Sequence, residues 1–215
     1  MLPIYDLYPI SHDNYVAPSA TVTGEVYLDR FVSVWYNAVI KGDMNSVDIF
    51  SHTSIGDGTV IQTVSSLPTG LPSSVKIGQN VTIHSNCTLT SCEIAEDVVI
   101  GANSVIMEGA KIEKGAMIAP GTVVPPGRLI PSNTLWAGNP CEFVKDLDLG
   151  ERWANYTLSY VYSHLGEISM NAYSLWSNAY LKKESSQDDA FPEGNNRAAL
   201  GYDVLNMNRV KTYIF

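Results

Sequence analysis

An aliphatic residue returns at every sixth position through most of the first 124 residues of this chain. A period of six matches neither the turn of an α-helix, about 3.6 residues, nor the simple alternation of an isolated strand. It is the period of hexapeptide repeats, in which each hexad supplies one short strand and one corner of a β-helix. The pattern therefore predicts an all-β parallel β-helix over residues 16–130. The aliphatic positions are Val16, Val22, Leu28, Val34 and Ile40; Ile49, Ile55 and Ile61; Ile77, Ile83 and Leu89; and Ile94, Ile100, Ile106, Ile112, Ile118 and Val124.

A second column of small or β-branched residues accompanies the aliphatic one, two positions earlier in the hexad. Because strand side chains alternate in direction, both columns point into the β-helix. Cys87 and Cys92 fall in this second column, so we interpret them as small buried side chains without a redox or metal role. The other members are Ala38, Thr53, Thr59, Val81, Val98, Ser104, Ala110, Ala116 and Thr122.

Three interruptions of the hexad register mark local departures from the regular coil. Nine residues separate Ile40 from Ile49, and the step from Leu89 to Ile94 is one residue short. Sixteen residues separate Ile61 from Ile77, and this stretch contains two prolines and a glycine. It predicts a loop ejected from the β-helix at about residues 62–76.

The remaining segments flank the repeats. Residues 1–15 are interpreted as an N-terminal arm, and Pro125-Pro126 predicts that the coil stops near this point, since proline donates no backbone hydrogen bond. We expect a connecting turn at 131–146, a C-terminal helix at 147–183 and, at 184–215, an extension that docks on a partner. An apolar stripe marks the helix, Gly166 predicts a bend in it, and apolar residues off the stripe suggest more than one neighbour. The stripe comprises Leu149, Trp153, Tyr156 and Tyr160.

Composition and charge exclude several classes of function. The formal net charge of −9 argues against a nucleic-acid partner and against adhesion to an anionic membrane. Three irregularly spaced cysteines do not form a disulfide framework, and no apolar run has the length of a transmembrane helix. The first residues lack the character of a secretory or transit peptide, so we expect a soluble protein in a reducing compartment.

Four motifs resemble those of γ-class carbonic anhydrases, in particular the anhydrase-like subunits of mitochondrial respiratory complex I. They are SVWYNAVIKGDMNSV at 33–47, TSIGDGTVIQ at 53–62, VTIHSNCTLTSC at 81–92 and LWAGNPCEFVKDL at 135–147. The resemblance covers about residues 12–182. It implies a left-handed coil, a C-terminal helix lying along it, and assembly into trimers. Trp136 and Asn139-Pro140 then belong to the turn that launches the helix.

The resemblance also locates three positions at which such enzymes carry the histidines that bind a metal between subunits. In this chain those positions hold Gln62, Ser85 and Thr90. An amide and two hydroxyls are weak ligands for a zinc-like ion. We therefore predict a chain that is not an enzyme and that holds neither metal nor cofactor.

Other positions of the family's site are retained in part. Lys41 and Asp43 stand where the family has an arginine–glycine–aspartate run that pairs across the subunit interface, and Asp57 is also present. Gly56 occupies a position at which the family usually has glutamine. These residues either remain from a catalytic site or form salt bridges at the interface and corner turns of the β-helix. If the site binds no metal, the second interpretation is favoured.

His84 is one residue from a ligand position, so alternation along a strand turns its side chain away from that position. We interpret it as a surface or interface histidine. The alternative is a rearranged site that combines His84 with His52 or Cys87. His12 and His164 lie outside the relevant turns of the coil.

Three functions compete. The first is a non-catalytic structural subunit in a heterotrimer with two other γ-carbonic anhydrase-like subunits. The trimer would be attached to the complex I membrane arm on the matrix side of the mitochondrial inner membrane. There, the aromatic residues of the helix would meet another subunit or lipid at the membrane interface; they are Tyr156, Tyr160, Tyr173, Trp176 and Tyr180. The alternatives are an active γ-carbonic anhydrase and a hexapeptide-repeat acyltransferase, in which His84 would be the base.

Overall fold

The computed structural model describes residues 9–11, 13–67, 70 and 72–177, with only the backbone described at 171–177. Within these residues the chain forms a series of short strands followed by one long helix. The strands are β1 (Ile10–Ser11), β2 (Tyr15–Val16), β3 (Thr21–Leu28), β4 (Ser33–Val34), β5 (Val39–Ile49), β6 (Ser54–Ile55), β7 (Val60–Gln62), β8 (Val75–Ile77), β9 (Thr82–Ile83), β10 (Thr88–Thr90), β11 (Glu93–Ile94), β12 (Val99–Ile100), β13 (Val105–Ile106), β14 (Lys111–Ile112), β15 (Met117–Ile118), β16 (Val123–Val124), β17 (Leu129–Ile130), β18 (Thr134–Ala137) and β19 (Glu142–Asp146), and the helix is α1 (Leu149–Ser177).

The strands stack in parallel on three faces of a β-helix. We call the face formed by the first halves of β3 and β5 together with β7, β10, β13 and β16 the ladder face, and the face formed by β8, β11, β14 and β17 the charged face. The helix face consists of β2, β4, β6, β9, β12, β15 and β18. Strand β5 belongs to two faces, because Val39–Lys41 pair with β7 whereas Val47–Ile49 pair with β8.

The core is the column of aliphatic hexad residues. From Leu28 to Ile130, these side chains are at most 1% exposed, and Ile40, Ile61, Leu89 and Ile106 lie directly above one another on paired strands. Cys87 and Cys92 are also buried, at 0% and 3% exposure. The predicted parallel β-helix of hexapeptide repeats, followed by one C-terminal helix, is therefore confirmed.

The long break in the register is a segment between β7 and β8 that is fastened at both ends. Asn45 Nδ2 donates to the carbonyl of Val64 at 2.6 Å and to Ser73 Oγ at 2.9 Å. Ser91 Oγ donates to the carbonyl of Ser73 at 2.5 Å and accepts from the amide of Val64 at 2.9 Å. These bonds hold the segment beside the ends of β7 and β10.

The coil continues beyond Pro125-Pro126, where the sequence predicted its end. Strand β17 pairs with β14, and β18 pairs with β15, so both strands extend the stack by one more rung. The prolines are compatible with this stack because they lie between β16 and β17, outside the paired strands. The predicted connecting turn at 131–146 accordingly contains β18 and then β19, which folds back antiparallel on β18.

Helix α1 packs on the helix face through small and polar side chains. Its buried positions recur with helical spacing and are Asn155, Ser159, Ser163 and Gly166. They meet a face whose outward side chains are also short, among them Ser33, Ser54, Thr82 and Val99, each at most 2% exposed. Short side chains on both elements allow a close approach of their backbones.

The apolar stripe predicted on the helix therefore does not pack on the β-helix. Tyr156 and Tyr160 are exposed, as are the other two members of the stripe. Hydropathy alone would predict that this stripe faces the β-helix. The helix face is flat, however, and small residues of α1 form the contact. The side chains of Tyr173 and Trp176, and all of Tyr180, lie outside the described residues.

A reciprocal capping box starts the helix, two residues after the predicted boundary. Asp148 Oδ1 accepts from the amide of Glu151 at 2.8 Å, and Glu151 Oε2 accepts from the amide of Asp148 at 3.1 Å. The predicted end at residue 183 and the predicted extension at 184–215 lie outside the described residues. Strand β1, in the predicted N-terminal arm, pairs with β3. Within the described part of the chain, α1 does not have the apolar character of a membrane-spanning segment.

Gly166 is a packing residue of this contact, and the helical segment continues through it. A Cβ atom added there would lie 2.8 Å from the Cβ of Ser33. We therefore expect Gly166→Ala to lower the free energy of unfolding by about 1–2 kcal/mol, although alanine favours an unconstrained helix. Urea denaturation measures this change.

Gly150→Ala is the matched control on the same helix, since its added Cβ meets no backbone atom and only Asp148 Oδ1, at 3.3 Å. It should leave stability unchanged or raise it. Equal stabilisation by both substitutions would contradict the packing role of Gly166.

Candidate functional site

Two of the three predicted site residues lie side by side at one end of the ladder face. Gln62 ends β7 and Thr90 ends β10, and these residues are paired in the strand register. Gln62 Nε2 donates to Thr90 Oγ1 at 3.4 Å. Lys41 is paired with Gln62 on the opposite side, so Lys41, Gln62 and Thr90 form a column across three rungs. We call this column the site edge.

Ser85 lies at a corner of the β-helix, in the turn between β9 and β10. It follows β9 on the helix face, and its carbonyl accepts from the amide of Asn103 at 2.9 Å. Its side chain lines a cavity of about 200 Å³ together with Trp35, His84 and Tyr162. One chain thus carries two members of the site at the ends of ladder-face strands and the third at a corner.

The charged residues near the site edge have structural partners or face solvent. Lys41 and Asp43 are exposed, and neither forms a salt bridge with any residue that the structure describes. Gly42 lies between them at a close backbone crossing, where an added Cβ would be 2.2 Å from the carbonyl oxygen of Glu25. Glycine at this position is therefore required by packing.

Asp57 stabilises a corner turn of the β-helix. Its Oδ1 accepts from the amide of Tyr36 at 2.9 Å, and its carbonyl accepts from the amide of Asn86 at 2.7 Å. The neighbouring Gly56 admits no side chain, since an added Cβ would be 2.6 Å from the carbonyl carbon of His84. Asp57 and Gly56 therefore both have structural roles that do not depend on catalysis.

The alternative site built from His84, His52 and Cys87 is not formed. His84 packs edge-on against the ring of Tyr162 at 6.1 Å, and burial lowers the pKa of its imidazole. His52 precedes β6 at the opposite side of the helix face, with Nδ1 3.1 Å from Ser163 Oγ. Cys87 lies inside the β-helix, where burial raises the pKa of its thiol. These contacts give both histidines structural roles.

Several known proteins that are similar to this chain belong to one family. Gamma carbonic anhydrase-like 1, mitochondrial, from Arabidopsis thaliana is 40% identical over 185 residues, which cover 86% of this chain and 73% of that protein. The chain belongs to the γ-carbonic anhydrase family. Gamma carbonic anhydrase 1, mitochondrial, from the same plant is 35% identical over 148 residues, or 68% of this chain. The family thus includes members named as anhydrases and members named as anhydrase-like.

The β-helix has wider relatives. Residues 91–126 match the family described as bacterial transferase hexapeptide (six repeats). A hexapeptide transferase family protein from Anaplasma phagocytophilum has a solved structure with a TM-score of 0.71 and 28% identity, covering 76% of this chain and 94% of that one. The chain spans about half the length of some curated relatives: 54% of Gamma carbonic anhydrase 1 and 53% of Gamma carbonic anhydrase 2.

The donor atoms of this γ-carbonic anhydrase family member do not fit the metal that the resemblance implies. A catalytic zinc site takes three imidazole, thiolate or carboxylate ligands and keeps one position for water. The corresponding positions here offer one amide and two hydroxyls, and the amide of Gln62 is already directed at Thr90. Among residues 9–11, 13–67, 70 and 72–170, no three His, Cys, Asp or Glu side chains are grouped as a metal site. The fit fails on the chemistry of the ligands.

One feature beside the site edge was missed from the sequence. The outward side chains of the ladder face form an in-register row of β-branched residues. The sequence does contain a pattern that locates this row, because each of these residues directly precedes an aliphatic hexad position. The row comprises Thr21, Val39, Val60, Thr88, Val105 and Val123.

Proposed function

We propose that this chain is a non-catalytic structural subunit of the γ-carbonic anhydrase type. The observation that carries the proposal is the site edge, where Gln62 and Thr90 retain adjacent positions but provide no imidazole. Hydration of carbon dioxide at neutral pH needs an ion that lowers the pKa of bound water towards about 7. Without ligands that hold such an ion, the retained architecture supports assembly.

The distribution of the three positions favours a heterotrimer. Gln62 and Thr90 end strands of the ladder face, whereas Ser85 lies at a corner, in the turn between β9 and β10, so in a trimer each chain would contribute to two sites. A chain that lacks all three ligands disables both of its own sites. The third site, between its two partners, stays functional if those partners carry histidines. We therefore infer two other γ-carbonic anhydrase-like subunits as partners.

The ladder face is the surface that fits this assembly. Its row of valines and threonines is half-exposed for the most part and adjoins the site edge. The charged face instead carries ion pairs such as Lys111–Glu93, at 3.2 Å, and the third face is covered by α1. A flat apolar row without charges is easily desolvated against a related subunit.

Location and attachment are proposed from the resemblance and from the relatives. The related Arabidopsis proteins are named as mitochondrial. We infer that this chain lies on the matrix side of the mitochondrial inner membrane, bound peripherally to membrane-arm subunits of NADH:ubiquinone oxidoreductase (complex I), where it supports assembly or stability. The net charge of −9 favours attachment through protein rather than through anionic lipid.

Hexapeptide acyl transfer is the second candidate. The match of residues 91–126 to the bacterial transferase hexapeptide family favours it. His84 would be the base, and the lowering of its pKa by burial would keep the imidazole neutral. Similarity to Gamma carbonic anhydrase-like 1 over 86% of the chain supports the structural role more broadly.

Metal titration tests the proposed loss of ligands. We expect the purified chain to bind neither zinc nor cobalt stoichiometrically. Gln62→His combined with Thr90→His should bind cobalt roughly tenfold more tightly than either single variant, because the two imidazoles would stand on paired strands. Absorption spectroscopy of cobalt and elemental analysis measure both results.

The control combines Gln62→His with Lys111→His, which places the second imidazole on the charged face. It should bind no better than Gln62→His alone. Stoichiometric zinc on the unmodified chain would contradict the proposal, and equal affinities of the two double variants would contradict the geometry of the site edge.

Assembly through the ladder face is tested by a charge in the row. Tagged Val105→Lys, expressed in the native cells, should be lost from the high-mass complex on native electrophoresis, because lysine in a desolvated contact is unfavourable. Leu129→Lys is the matched control on the charged face, where Leu129 is 51% exposed, and it should assemble normally.

Mass spectrometry of the co-purified proteins identifies the complex. We expect histidine-bearing γ-carbonic anhydrase subunits and complex I membrane-arm subunits with the unmodified chain. Equal incorporation of the two lysine variants would contradict a role for the ladder face, and an unmodified chain that migrates alone would contradict the structural role.

A further inference from the structure

Helix α1 presents an apolar side that the β-helix does not cover. Leu149, Trp153 and Tyr160 are 76%, 70% and 61% exposed, and Tyr156 is 44% exposed. Their spacing of three or four residues places them on one side of the helix, and the rings of Trp153 and Tyr156 are 5.8 Å apart. We call these four residues the aromatic stripe. Exposed Trp and Tyr in such a cluster are typical of contacts between proteins.

A cavity lies between α1 and the first rungs of the β-helix. Glu167, which lines this cavity, lies seven residues beyond Tyr160 and therefore two helical turns further along the same side. The cavity measures about 210 Å³. Its walls include Tyr15, Phe31, Val32 and Met170, and its two carboxylates belong to Asp13 and Glu167.

The chemistry of these walls favours an organic cation. The side chain of Asp13 is exposed, and it forms no ion pair with any residue in the part of the chain that the structure describes. Glu167 Oε2 lies 3.3 Å from His164 Nδ1, and both groups remain partly exposed. Carboxylates beside aromatic rings attract guanidinium and ammonium groups through charge, hydrogen bonds and the π-face.

Because Glu167 lies on the same side of α1 as the stripe, a protein segment is favoured as the source of that cation. A free amine would use the carboxylates and leave the aromatic stripe exposed, whereas a protein segment can cover the stripe and insert one side chain. We propose that the cavity is a socket for a lysine or arginine side chain of a partner protein whose apolar surface covers the aromatic stripe. The net charge of −9 favours such a basic partner.

This proposal goes beyond the structural role proposed above. The socket involves the helix and the first rungs, whereas the site edge is on the ladder face. It stands whether the chain is a trimer subunit or an enzyme, so failure of either proposal leaves the other intact.

The test uses two probes that differ only in charge. Nα-acetyl-arginine amide carries a guanidinium, and Nα-acetyl-citrulline amide carries a neutral urea of the same shape. With the full chain labelled at its methionine methyl groups, and the Met170 signal assigned by Met170→Leu, NMR titration reports occupancy of the cavity. We expect the arginine probe to shift this signal saturably, with an affinity about fivefold above that of the citrulline probe.

Asp13→Asn combined with Glu167→Gln should remove this difference, whereas Glu142→Gln should preserve it, since Glu142 is exposed on β19, away from the cavity. Circular dichroism confirms folding of the variants. Equal binding of both probes, or retention of the difference in the double variant, would overturn the socket. Tighter binding of putrescine than of the arginine probe would indicate a free diamine and overturn the partner-protein assignment.

Discussion

The narrow interior of the β-helix is the constraint on which the rest of this structure depends. Each side of a rung has room for one aliphatic side chain and one small side chain, and the regular part of the stack repeats this pair every six residues. The column from Leu28 to Ile130 meets the requirement at no more than 1% exposure per residue. Full burial of each Ile or Leu contributes about 1.5–3 kcal/mol, so the column dominates the stability of the β-helix.

This constraint leaves the outward residues free to change. Gln62 and Thr90 project from strands whose register is set by Ile61 and Leu89, so losing imidazoles at these positions does not disturb the core. The outward side chains instead give each face its own character: ion pairs on one, short residues beneath α1 on another, and a β-branched row on the third. The proposal that this chain is a structural subunit rests on this separation, because a change at outward positions leaves the γ-carbonic anhydrase scaffold intact.

The sequence predicted the features that depend on the inward-facing residues, namely the strands and the buried cysteines. It was less successful with the end of the coil and with the packing of α1. The hexads located the strands, and the burial of Cys87 and Cys92 followed from their place in the small column. Pro125-Pro126 misled the prediction of the end of the coil because a proline's effect depends on whether it lies within a strand or between strands. The apolar stripe of α1 posed a different question: hydropathy identifies an apolar side but not which surface covers it, and the small residues of α1 are those that pack on the flat face.

The site was predictable only in part. Motif resemblance assigned Gln62, Ser85 and Thr90 to the site, but the position of Ser85 at a corner, apart from the paired strand ends at Gln62 and Thr90, follows from the stacking of the rungs. Sequence alone could not supply the backbone crossing that fixes Gly42, nor the acceptor role of Asp57 towards Tyr36. Those contacts connect residues that only the stacking of the rungs brings together.

Isotope exchange between labelled carbon dioxide and water tests the central claim most directly. The purified full chain, supplied with zinc, is compared with buffer alone and with the same sample after chelation. The account predicts the uncatalysed rate in all three, because the site edge provides no ligand set for the ion. A faster exchange that follows the chain through purification and disappears on chelation would contradict it.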